Sequence, residues 1–135
     1  MNREYLAGFF DGEGSFLIKI KKDPRYYRSG YQITPKINIA QKDKKLLIEI
    51  QKFLGMGNIY IHRTDDLWHF EIYKLNDIEK FLNMIGSLLK IKKKRQRNFE
   101  QCIKMMLKKQ HLSKEGCKKI KMIWLSSKLG IIPYR

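Results

Sequence analysis

A chain of 135 residues is the usual size of one domain and can bury roughly two-thirds of the surface its unfolded form exposes, so a single domain over residues 1–135 is expected. Its 43% hydrophobic content excludes a disordered chain, and 29 Lys+Arg against 13 Asp+Glu leave a formal net charge of +16, a field that seeks a polyanion. Nucleic acid suits it better than an acidic small molecule or a membrane surface, because phosphate neutralisation uses many dispersed cations and a small substrate needs only a few placed ones. No apolar run approaches the roughly 20 residues of a spanning helix, and the start MNREYL has no apolar signal core. An intracellular protein that is neither secreted nor a membrane partner is therefore expected, in an organelle or a prokaryotic cytoplasm. Cys102 and Cys117 are too few for a disulfide framework and read as buried thiols.

In chain order, Arg3 to Gly12 reads as a short helix, with Tyr5, Leu6, Phe9 and Phe10 covering a wide apolar face. Ser15 to Lys22 alternates as a strand, Phe16, Ile18 and Ile20 on one side and Ser15, Leu17, Lys19 and Lys21 on the other. After the turn-rich DPRYYRSG, Tyr31 to Gln41 alternates again, with Ile33, Ile37 and Ile39 inward and Gln32, Thr34, Lys36 and Asn38 outward. Pro35 lacks a backbone donor, so an edge or a bulge is expected there. Asp43 suits the N-cap of a helix over Lys44 to Leu54, which Gly55 stops. A second hairpin follows, Asn58 to Arg63 and Leu67 to Leu75 about a TDD turn. Ile59, Ile61, Trp68, Phe70 and Ile72 point inward, and Tyr60, His62, His69, Glu71 and Tyr73 outward. Asn76 opens a helix to about Met84, another spans roughly Lys92 to Lys109, and Ser113 opens a last one.

This order predicts an α+β fold: an αββαββα core in which one antiparallel sheet packs its Ile-rich face on helices, with extra C-terminal helices. The opposite face is polar and basic. Two-stranded ribbons fit the DNA major groove, and outward Gln, Asn, Lys, Thr and His are side chains that read base edges, although solvated polar residues would look the same. Arg25, Tyr26 and Arg28 at the first hairpin tip, and Arg63 at the second, extend that surface.

The first helix carries the chemistry. Gly8 and Gly12 lie four apart on one face, and each glycine costs a helix about 1 kcal/mol against Ala, which calls for a reason such as close backbone approach. No second Gly-x-x-x-Gly helix exists in the chain, so another copy of the protein is the economical partner, with Tyr5, Leu6, Gly8, Phe9 and Gly12 at the interface. Asp11 and Glu13 end this helix, where negative charge opposes the macrodipole. They are either ordinary surface acids or ligands of a divalent cation, two copies bringing two carboxylates to one hard-oxygen site suited to Mg²⁺.

The string Leu6-Ala7-Gly8-Phe9-Phe10-Asp11-Gly12-Glu13-Gly14, in this order of elements, resembles the LAGLIDADG homing endonucleases over most of the chain. One motif copy implies the homodimeric, intron-encoded branch, with a saddle-shaped sheet over a long pseudo-palindromic double-stranded DNA target. The resemblance implies that Glu13, where the family often has Asp, binds the metal, with Gly12 beside it in the metal site. It further implies catalytic roles for Gln41 in placing water, and for Lys45 and Lys92 near the scissile phosphate, in cuts that leave short 3′ overhangs.

Other readings remain beside this one. His62 and His69 lack evident third and fourth zinc ligands, so contact with DNA is preferred. The basic run Lys90 to Arg97 reads as a DNA-backbone surface. The main functional alternative is an RNA-binding maturase, an intron splicing cofactor without nuclease activity, and a second is a basic ribosome component.

Overall fold

The side-chain carbonyl of Asn2 accepts the N–H of Tyr5 at 2.8 Å and so caps the first helix, α1 (Arg3–Glu13), which runs one residue beyond its expected end. This geometry comes from a computed structural model that describes residues 1–25 and 29–129, without the side chains of 127–129. Tyr26 and Arg28 lie outside the described residues. The chain divides into two compact units, Met1–Leu17 with Lys36–Lys92, and Ile18–Pro35 with Lys93–Arg135.

In the first unit α1 turns directly into strand β1 (Gly14–Lys22). A Cβ on Gly14 would lie 2.0 Å from the ring of Phe10, so only glycine lets the backbone lie flat on that ring. Phe10 is fully buried and meets Phe16 and Phe81 with ring centroids 5.0 and 5.1 Å apart. Leu6 and Ala7 join it, and α1 packs on α3 (Leu75–Ile85), whose Ile78, Phe81, Leu82 and Ile85 are buried. Helix α2 (Lys44–Leu54) starts as expected, Asp43 accepting the N–H of Lys45 at 3.0 Å, and ends at Gly55 in the left-handed region at φ 71°. Its Leu47 and Ile50 are buried, and the helix packs on strands β3 (Asn58–Ile61) and β4 (Trp68–Ile72).

With strand β2 (Tyr31–Gln41) the sheet has the order β1-β2-β4-β3, β4 running antiparallel to both its neighbours. The expected α+β class and the single sheet are borne out. Three expectations change. Strand β2 is interior, not an edge, and tolerates Pro35 because its pairing with β4 begins only at Ile37. The second hairpin is shorter than its apolar alternation suggested: His62 exchanges turn hydrogen bonds with Leu67 and Asp66, and Ile61 is left 48% exposed. The third helix begins at Leu75 after Lys74, with Asn76 inside its first turn.

In the second unit α4 (Lys93–Leu107) packs on α5 (Lys114–Leu129) through Phe99 and Trp124, 6.0 Å apart, with the Arg95 guanidinium 3.9 Å above the Trp124 ring. Ser113 opens α5 as expected, its Oγ accepting the N–H of Gly116 at 3.0 Å. Both cysteines are buried and free, and burial pushes the Cys102 thiol up to about 12, so it stays protonated and inert. At the first hairpin tip the side chain of Arg25 pairs with Asp23 at 2.8 Å, and its hydrogen bonds hold that carboxyl down at about 2. No helix among the described residues is long and apolar enough to cross a membrane.

Gly14→Ala should destabilise the protein by about 1–3 kcal/mol, the usual cost of forcing an extra carbon against a packed ring. Urea denaturation followed by circular dichroism reads this as a lower midpoint at unchanged slope.

Candidate functional site

Helix α1 has two faces with opposite uses. Leu6, Ala7, Phe10 and Asp11 face the core, whereas Tyr5, Gly8, Gly12 and Glu13 are exposed. Tyr5 is 52% exposed and stacks on half-buried Phe9 at 6.4 Å. A Cβ on Gly8 or Gly12 would meet nothing within 4 Å, so nothing among the described residues requires glycine at either position. Leu6 does not belong to this stripe: it is 0% exposed and fills the core, because it falls on the helix side of Phe10.

Glu13 closes the exposed face. The last turn of α1 has no basic residue, so the carboxylate adds to the negative end of the helix. An exposed carboxylate in that field suits a hard divalent cation, with Gly12 offering only its backbone carbonyl. Asp11 has another job. It is 8% exposed, and its two oxygens accept the N–H groups of Lys90 at 2.8 Å and Ile91 at 3.2 Å. Both oxygens are thus committed to the chain, and the bonds tie the segment just before Lys92 to the end of α1. Sequence reading grouped Asp11 with Glu13 at the helix end and missed this role, because its donors lie 79 and 80 residues on.

Lys92 follows this tie and is half-buried. Gln41 is half-buried at the end of β2, opposite Trp68, and Lys45 is exposed in the first turn of α2. Among the described residues no ion pair or hydrogen bond links Glu13, Gln41, Lys45 and Lys92 to one another. Sequence reasoning passed over Lys44, whose ammonium sits 4.3 Å over the Trp68 ring.

Of the expected DNA-facing residues, Lys19, Lys21, Arg25, Arg63 and Tyr73 are exposed, and Ser15, Leu17, Gln32, Thr34, Lys36, Asn38, Tyr60 and His62 are half-buried. Glu71 differs. It is 0% exposed and cannot itself touch a base, because its neighbours close over it. Lys36 pairs with Glu71 at 3.1 Å, Asn38 donates to it at 2.7 Å, and Tyr73 donates to its other oxygen. His69 is also buried; it bonds Asp65 at 2.8 Å through Nε2 and Asn38 at 3.0 Å through Nδ1. Burial and the Glu71 bond push the Tyr73 hydroxyl up to about 12, so it remains a donor. Tyr60 lies 3.1 Å from the Tyr73 hydroxyl, and His62 stacks on His69 at 3.7 Å. Glu71 supplies the third ligand-type atom beside His62 and His69, all within 4.8 Å, yet Lys36 already places a cation on that carboxylate. Asp65 has no counterpart among the expected residues.

The profile of the LAGLIDADG endonuclease family matches residues 6–106. The chain belongs to this family. It is 33% identical over 129 residues to the probable intron-encoded endonuclease 2 of Neurospora crassa, covering 89% of this chain and 28% of that protein. Among solved structures it is similar to the homing endonuclease I-TnaI, with a TM-score of 0.84, 30% identity and coverage of 93% of this chain and 87% of that one. It is also similar to the LAGLIDADG meganuclease I-CpaMI bound to uncleaved DNA, with a TM-score of 0.85, 33% identity and coverage of 91% and 44%. The chain spans about a quarter of the length of the first curated relatives it matches, 28%, 25% and 24%. The LAGLIDADG string, Leu6 to Gly14, covers most of α1 and its turn into β1, so the family's signature falls on the helix that has one buried and one open face.

Asp11→Asn leaves one oxygen for two N–H groups and sets an amide donor against them. It should cost about 1.5–3 kcal/mol, the range for hydrogen bonds to a charged group. Native-state hydrogen exchange should then quicken at the Lys90 and Ile91 amides before it does elsewhere in the first unit.

Proposed function

We propose that this LAGLIDADG protein is a site-specific double-strand DNA endonuclease of the intron-homing type, acting as a homodimer with a divalent metal, Mg²⁺ in the first instance. The observation that carries the reading is the open Gly8 and Gly12 stripe of α1, which ends at the exposed Glu13 in a last turn that has no basic residue. A second α1 laid on that stripe brings a second Glu13 to the same place. Coverage of 44% of DNA-bound I-CpaMI, against 87% of I-TnaI, supports a chain equivalent to one half of a symmetric site. The endonuclease names of the relatives favour cleavage over the splicing-cofactor reading. Their intron origin supports an intracellular place of action.

Glu13, with the Gly12 carbonyl beside it, would hold the metal, which supplies Lewis-acid activation of the phosphodiester. Lys92, on the segment tied down by Asp11, and Lys45 offset charge building on the phosphate, and Gln41 orients water. The polar faces of β1 to β4 lie along the major groove and read a long pseudo-palindrome, while exposed lysines and arginines neutralise its phosphates. Cuts across the minor groove leave short 3′ overhangs.

Glu13→Gln should keep DNA binding and lose cleavage in Mg²⁺, read by gel shift and by cutting of a selected site; robust cutting by that variant refutes the metal role. Gly8→Ala separates dimer from monomer. With open space around it, the methyl should strengthen the isolated helix by up to about 1 kcal/mol. The same methyl stands between two α1 helices, so sedimentation should show self-association weakened by at least about tenfold. An unchanged dimer would remove this helix from the interface.

A further inference from the structure

A fully buried carboxylate under a surface meant for phosphates needs an explanation. Glu71 has one in the accounting of the Asn38 amide. The amide nitrogen has two N–H groups, and both are committed: one to Glu71 Oε2 at 2.7 Å, the other to His69 Nδ1 at 3.0 Å. The orientation of this amide is settled by its neighbours. A carboxylate accepts, and the carboxylate of Asp65, 2.8 Å from Nε2, takes the ring N–H of His69 there, so Nδ1 is the ring atom that accepts from the Asn38 amide. Every bond in the chain from Asp65 through His69 and Asn38 to Glu71 therefore has one allowed direction. What remains uncommitted on the Asn38 amide, among the described residues, is Oδ1, an acceptor.

We propose, resting on the DNA-reading function above, that Glu71 and Asp65 are positioning residues that make Asn38 an acceptor-only reader of the major groove. A free asparagine reads adenine with its donor and acceptor together, at N7 and N6. Asn38 has lost its donors, so it selects for an exocyclic amino group, adenine N6 or cytosine N4, and against guanine and thymine, which show only acceptors to it. Glu71 also holds Lys36 and Tyr73 in place, so its charge is offset within the sheet and adds little repulsion toward phosphate.

The test is selection of bound sites from a randomised duplex library without added divalent metal. Asn38→Ala should flatten base preference at one pair in each half-site, which marks the pair that Asn38 reads; the parental protein should show adenine or cytosine there. Glu71→Gln combined with Asp65→Asn gives the Asn38 amide a donor to face and frees the His69 ring to carry its proton on Nδ1, so Asn38 can turn its Oδ1 inward and its N–H groups outward. Preference at the marked pair should then move to guanine or thymine by about tenfold, with the other pairs unchanged. A merely structural role for Glu71 would weaken binding at every pair alike. If that double variant fails to fold, the two Asn38 side-chain amide protons of the parental protein, followed by NMR, should both be protected from solvent exchange, as protons bonded to Glu71 and His69 must be. The proposal falls if Asn38→Ala changes no pair, if the folded double variant keeps the parental base there, or if either Asn38 side-chain amide proton exchanges as fast as a free one. Selection of no sequence at all by the parental protein would instead overturn the DNA-reading function, and this inference with it.

Discussion

The two hydrogen bonds from the Lys90 and Ile91 amides to the buried Asp11 carboxylate are the constraint on which the site depends. A carboxylate at the C-terminal end of a helix is disfavoured by the helix itself, and burying it costs more, so it persists only because two backbone donors meet its two oxygens. That arrangement joins residues distant in sequence, the end of α1 and the segment leading to Lys92. It also gives the two acids of the motif different work. Asp11 turns inward and secures the chain, and Glu13, two residues on, is exposed in a last turn that has no basic residue.

The same division runs through all of α1. Its inner face is filled by Leu6, Ala7 and Phe10, and the close approach of Gly14 to Phe10 sets the turn into β1. Its outer face has two glycines over open space and a Tyr5–Phe9 stack at its edge, a surface with apolar area and little side-chain bulk. On the sheet a comparable economy holds: the buried charge of Glu71 is met by Lys36, Asn38 and Tyr73, so a strongly basic protein carries an acid at the centre of its polar face without leaving it unpaired.

Several elements were legible because a local rule specified them. The alternation of Phe16 and Ile18, the Asp43 cap with its Gly55 stop, and the Ser113 start each rest on residues close in sequence, and the structure has them there. The failures are where a distant partner decided. Leu6 looked like interface and is core because α3 covers that side of α1. His62 and Arg63 looked like strand, and the turn bonds of His62 with Leu67 and Asp66 end β3 at Ile61. Pro35 looked like an edge, and the strand order put β4 beside β2, though only from Ile37 onward.

Composition, periodicity and one nine-residue string were enough to determine the α+β order, the basic polar face, the family and the helix that ends in Glu13. These follow from charge, from the periods of helix and strand, and from residue types that suit few backbone environments. Which acid is buried, which outward residues still have free hydrogen-bonding atoms, and which side of α1 is open were decided only by the tertiary structure. Each depends on partners tens of residues away, Asp11 with Lys90 and Asn38 with His69 and Glu71, and hydrogen-bond satisfaction between them is a property of their positions in space.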